Sequence, residues 1–85
     1  MLSILLADDH FLIRKGLRQL LEESLPAARL DEAADGPSTL ELACTGRYDV
    51  VVLDISMPGK DGLDLIKDIK DASPDTHILV LSIQP

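Results

Sequence analysis

At 85 residues with 46% hydrophobic content, the chain has room for one small globular domain and little core to spare. Fifteen acids against eight bases give a net charge of -7, which argues against a nucleic-acid or anionic-membrane face in this segment. A single cysteine, Cys44, excludes an internal disulfide, and neither a signal peptide nor a run of membrane-spanning length is present, so a cytoplasmic location is expected.

Ser3 to Ala7 is a short apolar run that stops at Asp8 and Asp9, the pattern of a buried parallel strand ending at its carboxyl edge. From Phe11 to Ser24, Ile13, Leu17, Leu20 and Leu21 share one helical face and the charged residues the other, so an amphipathic helix is expected up to Pro26. Leu30 to Ala34 reads as a weak second strand. Asp35-Gly36-Pro37 then opens a second helix that runs to about Thr45, buries Leu40, Ala43 and Cys44, and ends at Gly46.

Val50 to Asp54 is the third strand, followed by a loop through Met57, Pro58 and Gly59. Asp61 is placed to cap a third helix carrying Leu63, Ile66 and Ile69 inward and stopping before Pro74. Ile78 to Leu81 reads as a fourth strand ending at Ser82. The alternation β-α-β-α-β-α-β predicts an α/β fold, a doubly wound parallel sheet with helices on both faces, spanning residues 1–85 as one domain.

In such sheets ligands bind outside the carboxyl ends of the strands, which is where Asp8, Asp9, Asp54 and Ser82 all fall. Clustered carboxylates call for a cation between them, and an all-oxygen donor set suits Mg²⁺ or Mn²⁺. Asp9, Asp54 and the backbone carbonyl of Ser56 form the expected ligand set. Asp54 is the best nucleophile, since a carboxylate can accept a phosphoryl group as an acyl phosphate, and Ser82 can donate to that phosphate. His10 and His77 read as solvated surface residues, Cys44 and Met57 as packing residues, and the acids of the third helix as a solvated face.

Asp8-Asp9-His10 within "LLADDH", Asp54 within "VVVLDISMPGKDGLDLI" and "ILVLS" at the fourth strand resemble the receiver domains of two-component response regulators. The subgroup they look most like is the NarL/FixJ (LuxR-type) transcriptional one. The resemblance implies a flavodoxin-like (CheY-like) three-layer α/β/α fold and phosphoryl transfer from a sensor histidine kinase to Asp54. It also implies Mg²⁺ held by Asp9, Asp54 and the Ser56 carbonyl with Asp8 assisting, and Ser82 as switch hydroxyl. Transcription would be controlled through a DNA-binding domain outside these residues.

Receivers continue through a further helix, strand and helix with a phosphate-pairing lysine, so against that pattern this sequence is a partial receiver. The fourth strand is then expected to lie at an unprotected edge and to drive self-association. Two other readings compete. A haloacid dehalogenase-type phosphatase would also use a strand-end Asp, but expects a second Asp where Ser56 stands; an interaction fragment that is not phosphorylated would keep the pocket idle.

Overall fold

The computed structural model describes residues 1–57, 59 and 61–81. It contains β1 (Ser3–Ala7), α1 (Phe11–Ser24), β2 (Arg29–Ala33), α2 (Gly36–Gly46), β3 (Val50–Asp54), α3 (Gly62–Ala72) and β4 (His77–Leu81). All strand pairs are parallel and the order is β2-β1-β3-β4, so the chain winds one way from β1 to β2 and the other way from β1 to β3. That reversal creates a crevice between the carboxyl ends of β1 and β3.

Alternation along the strands divides the core into two layers. Leu5, Val51 and Leu53 point to one face, where Ala43 of α2 and Leu65 and Ile69 of α3 close over them. Ile4, Leu6 and Leu30 point to the other face and meet Leu17 and Leu21 of α1. Leu5, Leu6, Leu53, Leu65, Ile69 and Val51 are essentially without solvent contact. Removing each such side chain from water is worth about 1.5–3 kcal/mol, so the centre of the sheet carries the stability.

The helix starts follow local chemistry. Asp35 accepts the Ser38 N–H at 2.8 Å with Pro37 in the first turn of α2, and Asp61 accepts the N–H groups of Leu63 and Asp64 at 2.9 and 3.3 Å. The Asp61 cap was legible in the sequence. The end of α2 differs from expectation: the left-handed position belongs to Arg47, at φ 54°, and not to Gly46. Gly46 is needed for a different reason, because a Cβ there would run into the ring of Tyr48.

Three expected core positions face water instead. Leu20 is 62% and Leu63 is 74% exposed, and Cys44 is exposed as well. In α3 the inward line is the i, i+4 pair Leu65 and Ile69, which turns Leu63 outward. In α2 it is Gly36, Thr39 and Ala43, which leaves Cys44 one step round the helix. Met57 is buried as expected.

Candidate functional site

The register Ala7↔Leu53 sets the next residues of β1 and β3, Asp8 and Asp54, level with one another on neighbouring strands. Parallel strands lie about 4.8 Å apart, so the two carboxyl groups have to share one space. Both are buried, Asp8 at 3% and Asp54 at 5% exposure, whereas Asp9 is at the surface. Ligand atoms from Asp8, Asp9, His10 and Asp54 all lie within 4.8 Å of one another.

Each buried carboxylate has one satisfied oxygen and one bare one. Asp54 Oδ1 accepts the Ser56 backbone N–H at 2.9 Å and the Ser56 hydroxyl at 2.7 Å. Asp8 Oδ1 accepts the His10 backbone N–H at 2.7 Å and lies 2.8 Å from His10 Nδ1. Asp8 Oδ2 and Asp54 Oδ2 have no hydrogen-bond partner among the described residues. Buried polar atoms without partners are rare and costly, at about 1–3 kcal/mol each, so a pair of them side by side fits a site built to receive a cation.

Burial pushes the Asp54 carboxyl up, but the hydrogen bonds from Ser56, together with the interactions with Asp8 and Asp9, hold the group below its ordinary value. The His10 ring is raised, first by its bond to Asp8 against some desolvation, then by the charges of Asp9, Asp8 and Asp54. Arg14 donates through Nη1 to the Asp8 backbone carbonyl at 2.5 Å, which ties the loop carrying both acids to α1.

The structure thus brings together Asp8, Asp9 and Asp54 from the expected set, and the Ser56 N–H and hydroxyl turn onto Asp54. Ser82 lies outside the described residues, as do Pro58 and Lys60 of the β3–α3 loop. His10 departs from the sequence reading: it is no free surface residue, because its Nδ1 is drawn among three acids while the ring stays half exposed. The available signal was its position directly after an acid pair at a strand end. The Ser56 hydroxyl was also missed as a partner of Asp54; its signal was a short hydroxyl two residues after a buried acid.

The family model for the response regulator receiver domain matches residues 4–85. The response regulator UvrY of Escherichia coli K12 is 36% identical over 83 residues, which is 98% of this chain and 38% of that protein. The chain therefore spans about two fifths of the length of such relatives. A Burkholderia pseudomallei response regulator, solved with a phosphorylated aspartic acid, a calcium ion and citrate, superposes at TM-score 0.87 with 26% identity. The match covers all of this chain and 49% of that one. A chain from the complex of histidine kinase ThkA with response regulator TrrA superposes at TM-score 0.87 with 35% identity, covering all of this chain and 72% of that one. The dehalogenase-type phosphatase finds no support in these matches.

Proposed function

Since the chain belongs to the response regulator receiver domain family, we propose that Asp54 is its phosphoacceptor and a sensor histidine kinase its donor. The observation that carries this reading is the pair of bare, buried oxygens, Asp8 Oδ2 and Asp54 Oδ2, at the carboxyl edge of the sheet. A carboxylate oxygen of Asp54 attacks the phosphorus of a phosphohistidine; the P–N bond breaks, and the leaving imidazole nitrogen keeps the electron pair. Ser56 holds Oδ1 and so orients the plane of the carboxylate for that attack. The low proton affinity of Asp54 keeps it ionised at neutral pH.

Asp8, Asp9 and Asp54, with the Ser56 carbonyl, are the residues we assign to Mg²⁺ or Mn²⁺. When bound, that ion neutralises the pocket and the charge on the transferring phosphoryl oxygens. The phosphorylated aspartic acid and the calcium ion of the Burkholderia structure support the assignment. The ThkA–TrrA complex supports the kinase as partner. Ser82 remains the proposed switch hydroxyl on its sequence position alone. We assign residues 1–85 to one phosphoacceptor domain, and to that domain also self-catalysed phosphotransfer and dephosphorylation.

We place the protein in the cytoplasm, consistent with the finding that no helix among the described residues is long and apolar enough to cross a membrane. The NarL/FixJ-like wording of its motifs supports an output in transcription, exerted through a DNA-binding domain outside these residues.

Incubation with acetyl phosphate and Mg²⁺, followed by peptide mapping, tests the acceptor. One phosphoryl group on Asp54 is expected. Label on Asp8 or Asp9, or label that survives Asp54→Asn, overturns the assignment.

The exposed fourth strand supports one further partner, a second copy of the chain. Leu79 is 57% and Val80 is 42% exposed, and among the described residues β4 pairs only with β3. Light scattering across a dilution series should show association that Leu79→Lys abolishes. A compact monomer at every concentration removes this partner.

A further inference from the structure

The pocket holds one donor that the phosphoacceptor chemistry leaves unused. His10 Nδ1 lies 2.8 Å from Asp8 Oδ1, 3.2 Å from Asp9 Oδ1 and 3.3 Å from Asp54 Oδ2. Ligand atoms on adjacent vertices of an octahedral shell with bonds of about 2.1 Å stand about 3.0 Å apart. In a tetrahedral shell with bonds of about 2.0 Å they stand about 3.3 Å apart. The ring nitrogen thus faces all three carboxylates at the spacing of atoms that share one ion.

A ring proton is a poor substitute for such an ion. Nδ1 carries at most one proton, and among the described residues only Asp8 Oδ1 meets it as a hydrogen-bond partner. Asp8 Oδ2 and Asp54 Oδ2, on side chains more than nine-tenths buried, still have no hydrogen bond among the described residues. A divalent ion engages several oxygens at once. The ring is half exposed, so the proton displaced from Nδ1 can be carried at Nε2 without burying a second polar group.

We infer that His10 Nδ1 is a fourth protein ligand beside Asp8, Asp9 and Asp54 for borderline transition-metal ions such as Ni²⁺, Co²⁺ and Zn²⁺, and that the pocket discriminates among divalent ions through it. Imidazole suits these metals, and affinity rises along the first-row series toward nickel and copper. Mg²⁺ is hard, prefers oxygen and keeps its water, so it gains nothing from the nitrogen. The inference rests on the cation-binding reading of the pocket, and goes beyond it by naming a selectivity residue and the class of ion selected.

Parallel Ni²⁺ and Mg²⁺ titrations of the 85-residue chain and of His10→Gln, followed by calorimetry, separate the two ions. Wild type should bind Ni²⁺ more tightly than Mg²⁺, and His10→Gln should lose at least about tenfold in Ni²⁺ affinity while Mg²⁺ affinity stays within about twofold. With Co²⁺, proton NMR should show one hyperfine-shifted, solvent-exchangeable imidazole N–H, absent in His10→Gln and retained in His77→Gln. Equal losses for both ions, or an imidazole signal that follows His77, overturn the ligand role of His10 while leaving the Mg²⁺ pocket standing. Failure of wild type to bind either ion overturns the pocket itself.

Discussion

Glu32 on β2 and Asp54 on β3 are acids of one sheet, and the protein treats them in opposite ways. Glu32 Oε1 accepts Arg14 Nε at 2.7 Å, and its Oε2 accepts Arg18 Nη1 at 2.6 Å and Lys15 Nζ at 3.1 Å. Burial pushes the Glu32 carboxyl up, but the bonds from Arg14, Arg18 and Lys15 bring it down to about 2. Asp54, with Asp8 beside it, has an oxygen to which no hydrogen bond is made among the described residues. Where an acid serves only the fold, Arg14, Arg18 and Lys15 surround it; at the crevice the His10 ring bonds Asp8 Oδ1, and Asp8 Oδ2 and Asp54 Oδ2 keep no hydrogen bond among the described residues, which leaves the demand for an external ion.

Arg14 joins the two regions. Its Nε holds Glu32 while its Nη1 holds the Asp8 carbonyl, so the filled cluster also fixes the backbone of the unfilled one.

The contrast breaks most sharply at Asp8. Asp8→Asn keeps an acceptor for the His10 N–H but removes one charge from the pocket. Mg²⁺ affinity should fall on the order of 100-fold, since a close charge pair in a partly screened site contributes a few kcal/mol. Metal-free stability should rise by about 1 kcal/mol, because two carboxylates no longer compete for one crevice. Calorimetric Mg²⁺ titration and urea unfolding measure the two effects. A fall in both would make Asp8 a structural acid like Glu32 and erase the distinction.

The sheet was legible because buried parallel strands leave continuous apolar runs, and β1 and β3 both end where those runs meet an acid. That alone set Asp8, Asp9 and Asp54 at one edge. Side-chain direction in the loops was not legible: whether His10 turns to water or to Asp8 depends on the tight β1–α1 turn, where its own N–H also reaches Asp8. The Glu32 cluster was hidden for a related reason. Arg14, Lys15 and Arg18 read as a polar helix face, and only the crossing of α1 over β2 shows that one acid receives all three. Leu63 and Leu65 were confused because two residues on a helix are some 200° apart, and only the starting point of α3 decides which turns inward. Gly62 fixes that start. A Cβ there would come within 2.6 Å of the Ile55 carbonyl oxygen, so the close approach of α3 to the loop after Asp54 needs glycine.

Glu32 offers the smaller and more discriminating measurement. Its carboxyl sits at about 2 when folded against an ordinary 4.5, a depressed value. A depressed acid stabilises the fold fully above its unfolded value, and that contribution fades as pH drops through the interval from about 4.5 to about 2. Glu32→Gln removes the charge at every pH and leaves Arg14 without its counterion. At neutral pH the variant should be less stable than wild type by about 1–3 kcal/mol, a figure that allows for solvent screening around the half-exposed Lys15. As the solution is acidified the two unfolding free energies should converge, since wild-type Glu32 then also becomes neutral. Mg²⁺ affinity should change only severalfold, through the loosened grip of Arg14 on the Asp8 carbonyl. A gap that widens on acidification would place the sensitive carboxylate in the crevice, and the division between a filled and an unfilled acid would have to be drawn elsewhere.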